Sequence, residues 1–169
     1  MMKTVPEFLA HAVVLEEEAA DRYDELADAM HVHNNEPVAE LFRRMAGFSR
    51  MHAAEAVKRA EKTGPLPDIK PWEYEWPGSE SPESAALDDS HYLMTPNHAL
   101  RMALAAEQTA YRFYADVAQS TRTEEVRELA ETFAEEEAGH VVEIEKWLAR
   151  YPEADENWDD DPDPPVAAD

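Results

Sequence analysis

Apolar residues recur every three or four positions along four stretches of the chain, which is the spacing that the buried face of an α-helix produces. Pro37 and Pro96 stand where the second and third stretches begin, and the first turn of a helix tolerates proline. Gly64 follows the second stretch and is typical of a helix end. The pattern predicts four helices of about 25 residues, each about 37 Å long at about 1.5 Å per residue.

Capping signals set the predicted helix starts. Thr4-x-x-Glu7 and Thr121-x-x-Glu124 both have the form of a capping box. In a capping box the hydroxyl accepts from an orphan backbone N–H and the glutamate reaches back. The sequence therefore predicts that helix one begins at Thr4 and helix four at Thr121, while Asn35 caps helix two.

Residues 63–95 connect the second and third helices and have an unusual composition. Five prolines forbid a continuous helix, yet Trp72, Tyr74, Trp76 and Tyr92 make the segment too aromatic for a plain flexible linker. We interpret it as an ordered crossover that packs along the helices, and partner docking is the alternative. So long a connection predicts an all-α, antiparallel four-helix bundle in which the crossover travels the full bundle length.

The length and composition favour one domain followed by a tail. At 169 residues the chain can build a single core, which we predict over residues 1–151. From residue 152 onward there are eight acidic residues and no Lys or Arg. Such a segment buries too little apolar surface to order itself. We therefore predict that residues 152–169 form a disordered acidic tail, and a docking peptide is the alternative.

The charge of the chain limits its expected partners. The net charge is −23, with 15 Lys and Arg residues against 38 acidic ones. This argues against nucleic-acid binding and against anionic membrane surfaces, because both need basic side chains. We find no apolar run long enough to span a bilayer and no signal peptide, so we expect a cytoplasmic location. Cysteine is absent, which excludes disulfides, thiolate metal sites and thiol nucleophiles.

Two patterns occur twice in the chain. Glu-x-x-Ala-x-x-x-Tyr begins at Glu16 and again, 91 residues later, at Glu107. His-x-x-Glu-x-x-Lys begins at His52 and again, 88 residues later, at His140. The similar offsets indicate a duplicated helical hairpin, in which each half brings one glutamate and one histidine to a shared centre.

The predicted centre carries more negative charge than a dry interior tolerates. Glu16, Glu107 and Glu137 lie within the apolar stripes, and a buried carboxylate without a partner costs several kcal/mol. We expect no Lys or Arg in the inward stripes at this level, so a bound cation is the simplest compensation. Carboxylates together with the imidazoles of His52 and His140 suit iron, manganese or zinc.

These residues resemble the ferritin-like superfamily, and particularly its rubrerythrin-like members, over residues 5–62 and 96–150. The resemblance implies two metal ions, held by a glutamate from helices one and three and a Glu-x-x-His from helices two and four. It implies Glu16 and Glu107 as terminal ligands, Glu137 as a bridging ligand, and His52 and His140 as imidazole ligands. It also implies that Tyr23 and Tyr114 contact those ligands and support them. The alternative is that both are ordinary core aromatics.

The chain departs from this pattern on helix two. Ser49 stands where the family has a glutamate three residues before His52, and a neutral hydroxyl is a poor metal ligand. A second metal ion should therefore bind more weakly, take extra water or recruit another carboxylate. Glu55 is a possible additional ligand. The alternative is that its side chain lies on the solvated flank of helix two. A rubredoxin-type iron centre is impossible without cysteine.

Three functional hypotheses follow from the sequence. The first is oxygen or peroxide chemistry on one or two iron ions, or on zinc or manganese, with electrons from a separate protein and no catalytic residues beyond the metal ligands. The second is metal storage, delivery or structural binding without redox turnover, because Ser49 weakens a paired-metal site. The third is a helical interaction protein with a decayed site. In each case we expect a homodimer.

Overall fold

The computed structural model describes residues 2–70, 73–74, 76 and 94–152. Its four helices are α1 over Val5–Val32, α2 over Glu36–Thr63, α3 over Pro96–Ser120 and α4 over Glu124–Leu148. This confirms the predicted all-α four-helix fold. None of the four helices is both long enough and apolar enough to cross a membrane. The predicted acidic tail beyond residue 152, together with Trp72 and Tyr92, lies outside the described residues.

Three of the four helix starts are those that the sequence predicts. The side chains of Thr4, Asn35 and Thr95 each accept the backbone N–H three residues later, at 3.3, 3.3 and 3.1 Å. These bonds satisfy amide groups that have no partner within the helix. At the other end of α2, Gly64 has φ +132°, a backbone conformation that other residues rarely adopt.

The predicted capping box at Thr121 is wrong. Helix α4 begins at Glu124 with Thr123 as its N-cap, and Thr123 makes no capping bond through its side chain. The hydroxyl of Thr121 instead donates to the carbonyl oxygen of Met2 at 3.1 Å and accepts the Thr123 N–H at 3.2 Å. Thr121 is 4% exposed. A tertiary contact with the start of the chain has thus replaced the local capping arrangement.

Two contacts fix the direction of the helices. The bond between Thr121 and Met2 places the end of α3 beside the start of α1. Gly64 lies against Pro6, so the end of α2 is also beside the start of α1. Helix α3 must therefore begin at the far end of the bundle. This confirms the antiparallel arrangement with a crossover between α2 and α3 that travels the bundle length.

Two apolar clusters fill the bundle, one at each end. The first includes Met30, Phe42 and Ile144, and the second includes Phe8 and Phe133. Five buried polar side chains lie at the level between the clusters in the described part of the chain, namely Glu16, Arg22, Ser49, Glu107 and Glu137. The centre of the bundle is therefore polar, with apolar packing above and below it.

The face of α3 differs in one position from the predicted stripe. Tyr111 follows Glu107 by four residues, which is the spacing of one helix face, yet it is 42% exposed, whereas Phe113 is buried. Phe113 packs against Trp76 of the crossover, with 5.4 Å between ring centroids. Trp76 stacks in turn on Tyr74 at 5.2 Å, and both rings contact His11 of α1. At Tyr74 and Trp76 the crossover therefore packs along the helices, as we interpreted it.

Candidate metal centre

A small cavity lies at mid-height in the bundle, between the two apolar clusters. It is lined by Leu15, Glu16, Ala19, Ser49, Glu107, Ala110 and Glu137. Its volume is about 10 Å³, which is roughly the space that one water-sized sphere needs. The structure thus brings the three glutamates predicted from the sequence to one enclosed point. They are 5%, 3% and 5% exposed, in chain order.

Three donor groups converge on one side of this cavity. Nδ1 of His140 lies 3.2 Å from Oε2 of Glu107 and 3.2 Å from Oε2 of Glu137. The donor atoms of the three side chains all lie within 4.8 Å of one another. Metal–oxygen and metal–nitrogen bonds of about 2.0–2.2 Å can span donors at such separations. These three side chains can therefore hold one metal ion.

The other half of the duplicated pattern forms a separate pair. Nδ1 of His52 lies 3.5 Å from Oε1 of Glu16. The rings of His52 and His140 face each other with 5.8 Å between centroids and 12° between planes. The side chains of His52 and His140 are 15% and 20% exposed. The centre therefore reaches solvent on its histidine side, while its carboxylates stay enclosed.

Burial and mutual repulsion separate the pKa values of Glu107 and Glu137. Burial raises the pKa of Glu137 well above its ordinary value, and the negative charge of Glu107 raises it further. Burial also acts to raise the pKa of Glu107, but hydrogen bonding to Glu137 and His140 and the positive charge of Arg22 lower it overall. Without a metal ion, Glu137 is therefore the member of this pair that retains a proton.

Both histidines have a raised pKa. For His52 the contact with Glu16 raises the pKa more than burial lowers it. For His140 burial lowers the pKa, but the hydrogen bond and charge of Glu107 more than compensate. The neighbouring carboxylates thus favour the protonated form of both imidazoles in the ion-free protein. A metal ion must displace these protons, because only neutral imidazole is a ligand.

Arg22 corrects one expectation from the sequence. We expected no basic residue among the inward positions at this level, but Arg22 is 0% exposed and its Nη2 lies 3.6 Å from Oε1 of Glu107. The signal was present in α1, because Arg22 follows Ala19 by three residues and precedes Leu26 by four. The phenol of Tyr23 donates a hydrogen bond to the same Oε1. One oxygen of Glu107 is thus held by α1.

The two tyrosines of the duplicated pattern occupy different surroundings. Tyr23 contacts Glu107 directly, whereas the hydroxyl of Tyr114 has no hydrogen-bond partner among the described residues. Tyr114 packs edge-on against the rings of Phe8 and Phe133. Burial raises the pKa of both phenols well above the ordinary value. Tyr114 is therefore a core aromatic that lies close to the charged centre.

The possible additional ligand Glu55 lies apart from the cavity. It is exposed and lines a surface depression with Lys58, Arg59 and Lys62. A carboxylate that sequence reasoning missed lies closer. Glu136 is half-buried, and burial raises its pKa while the charge of His52 lowers it. Its position directly before Glu137 on α4 was the available signal.

Comparison with known proteins places this chain in a family. The family model for rubrerythrin matches residues 7–148. The chain belongs to the rubrerythrin family. This confirms the resemblance drawn from the duplicated pattern. No curated protein matches the chain.

A solved structure supports the same assignment. The crystal structure of an uncharacterized conserved protein from Magnetospirillum magnetotacticum MS-1 is 45% identical to this rubrerythrin-family chain. The match covers 89% of this chain and 97% of the other, with a TM-score of 0.74. The fold is therefore shared along nearly the whole length. The carboxylate and histidine cluster of this rubrerythrin-family protein is a candidate metal site, and its oxygen and nitrogen donors fit iron, manganese or zinc.

Proposed function

We propose that this protein is an iron-dependent oxidoreductase that reacts with dioxygen or peroxide at the centre of the bundle. The observation that carries the proposal is the convergence of three donors: Glu107 and Glu137, which are buried and line one small cavity, and the half-buried His140 beside them. Together with Glu16 and His52 they form the proposed ligand set. A cluster of carboxylates with raised and lowered pKa values, enclosed among apolar residues, is costly for stability alone and is typical of a functional site.

The proposed chemistry divides between the ion and the chain. Bound iron would supply the one-electron redox chemistry of the site. The chain positions and protects the site. Arg22 and Tyr23 fix one oxygen of Glu107, and the apolar clusters exclude bulk water from the carboxylates. The partly exposed edges of His52 and His140 offer a small molecule its entrance.

The proposal includes a separate electron donor, because the chain has no cysteine with which to build a thiolate-bound iron centre. A partner protein would have to supply electrons from outside the bundle. The proposal also includes a homodimer and a cytoplasmic location. A homodimer is supported by the general preference of soluble proteins for two-fold association.

Anaerobic titration with ferrous iron tests the proposal. Chelator-treated protein should take up iron, and addition of air or hydrogen peroxide should then produce a change in near-ultraviolet absorbance with consumption of the oxidant. Glu137→Gln should abolish the uptake, because it removes a ligand charge from the three-donor cluster. Glu55→Gln is the matched control and should behave as wild type, since Glu55 is exposed. Absence of iron uptake by the wild-type protein would refute the proposal.

Ser49 supports a second candidate, which is metal binding without redox turnover. It lines the cavity at the position where the family pattern has a ligand glutamate, and loss of a ligand should impair redox chemistry more than binding. The same titration discriminates between the candidates. Uptake that raises the melting temperature without consumption of peroxide favours storage or structural binding. The third hypothesis, a decayed site in an interaction protein, instead requires metal content to stay at background in both the wild type and Glu137→Gln.

A further inference from the structure

Two side chains set this centre apart from the two-metal pattern that the resemblance implies. Ser49 is 3% exposed and lines the cavity where the pattern requires a fourth carboxylate. Arg22 is fully buried at the same level and lies 3.6 Å from Glu107. Compared with the two-metal pattern, the centre thus has one negative charge fewer and one positive charge more. Both differences reduce the attraction of the site for cations.

The charge balance of the buried groups fits one divalent ion. Glu16, Glu107 and Glu137 contribute three negative charges when ionised, and Arg22 contributes one positive charge. The sum is −2, which one divalent cation neutralises when the imidazoles are neutral ligands. Two divalent cations would leave a net charge of +2 in an enclosed interior, and uncompensated buried charge costs several kcal/mol.

The positions of the donor groups also favour one metal ion. Oε1 of Glu107 receives the hydrogen bond of Tyr23 and faces Arg22, so only Oε2 faces the other donors. Glu107 can therefore bind an ion through Oε2 alone. Glu107, Glu137 and His140 form one three-donor cluster, whereas Glu16 and His52 are paired with each other at 3.5 Å. The cavity between Glu16, Glu107 and Glu137 has a volume of about 10 Å³, which is room for one small sphere.

We propose that the centre holds a single divalent metal ion per chain, and that the guanidinium of Arg22 takes the place of a second ion. The inference rests on the proposed function, because it specifies the occupancy of the same site. Arg22 is a positioning residue here: it holds one oxygen of Glu107 and leaves the other oxygen to the ion. The half-buried Glu136 is a further carboxylate near His52, and its inward movement could change this count.

Metal stoichiometry tests the inference without reference to activity. Chelator-treated protein is loaded with excess Mn²⁺, desalted and analysed for metal per chain. We expect one ion in the wild type and two in the double variant Ser49→Glu with Arg22→Met, which restores the carboxylate and removes the internal cation. Glu136→Gln is the control and should retain one ion. Two ions in the wild type would overturn the inference, and so would one ion in a folded double variant.

A second measurement decides the question if the double variant fails to fold. The electron paramagnetic resonance spectrum of the Mn²⁺-loaded wild type should be that of an isolated ion at every loading. A spectrum of two exchange-coupled ions would overturn the inference. A wild type that takes up no ion at all contradicts the proposed function itself, so the two failures are distinguishable.

Discussion

At the scale of single residues, Glu107 is the side chain on which most contacts of the centre converge. Tyr23 and Arg22 hold one of its oxygens, and His140 contacts the other. These contacts cross from α1 to α3 and from α3 to α4. Removal of any of them should therefore affect both the charge of Glu107 and the packing between helices.

The two buried tyrosines offer a matched comparison. Tyr23→Phe removes a hydrogen bond to a buried carboxylate and should lower the free energy of unfolding by about 1–3 kcal/mol in chelator-treated protein. Tyr114→Phe removes a hydroxyl that has no partner among the described residues, so the change should stay below about 1 kcal/mol. Urea unfolding measures both values. An equal loss in the two variants would contradict this assignment.

The raised pKa of Glu137 predicts a pH dependence of the ion-free protein. The folded state keeps the proton of Glu137 at pH values where the unfolded chain, with a pKa of about 4.3, has lost it. The contribution of Glu137 to stability is therefore complete below about pH 4.3 and is lost as the pH rises towards the folded pKa, by up to about 1.4 kcal/mol per pH unit. His52 and His140 act in the same direction above about pH 6.5, because their pKa values are also raised.

Glu137→Gln isolates this contribution. Glutamine has no proton to lose, so the free energy of unfolding of the chelator-treated variant should fall less steeply between about pH 5 and pH 8. Urea unfolding at several pH values gives the slope. Glu55→Gln serves as the control and should follow the wild type, since Glu55 is exposed. Parallel curves for Glu137→Gln and the wild type would show that the carboxyl ionises freely in the fold.

The sequence identified most of the centre but not its positive charge. Glu16, Glu107 and Glu137 interrupt apolar stripes, and a carboxylate in a stripe is conspicuous. Arg22 occupies an equally regular position, but a long basic side chain usually extends to solvent from the edge of a stripe. Whether Arg22 is buried or reaches solvent depends on the partner that the opposite helix supplies. Only the packed structure shows that partner. Here that partner is Glu107.

At the scale of elements, local signals predicted the helix ends wherever the cap is made by neighbours in sequence. Asn35, Gly64 and Thr95 act within their own turns, so their chemistry is visible in the sequence. The prediction at Thr121 was wrong because the partner of its hydroxyl, Met2, is 119 residues away. The same pattern of residues can serve a cap or a tertiary contact. The sequence alone does not distinguish them.

Thr121→Val tests the importance of this contact for the bundle. Valine keeps the shape but loses the bonds to Met2 and Thr123, so the free energy of unfolding should fall by about 1–2 kcal/mol. Thr132→Val is the matched control. Thr132 is exposed, and among the described residues its hydroxyl bonds to Glu128 within α4, so the effect should remain within about 0.5 kcal/mol. Chemical denaturation measures both, and equal effects would refute a specific role for Thr121.

At the scale of the whole molecule, the net charge of −23 opposes compaction. Screening by salt should therefore stabilise the chelator-treated protein, and the melting temperature should rise by a few degrees between low salt and about 0.3 M NaCl. Calorimetry or circular dichroism provides the measurement. Potassium and tetramethylammonium chlorides should give the same rise at equal ionic strength. A melting temperature that does not change with salt would show that the acidic residues are too far apart to repel.

The arrangement of the two hairpins has a consequence for how the molecule opens. Helix α1 packs mainly against α2, and α3 packs mainly against α4, while fewer contacts join the two pairs. The cavity lies on this seam, with Glu16 on one side and Glu107 and Glu137 on the other. An ion bound there would link the two hairpins. Its loss should first increase amide hydrogen exchange along the seam, while each hairpin stays intact.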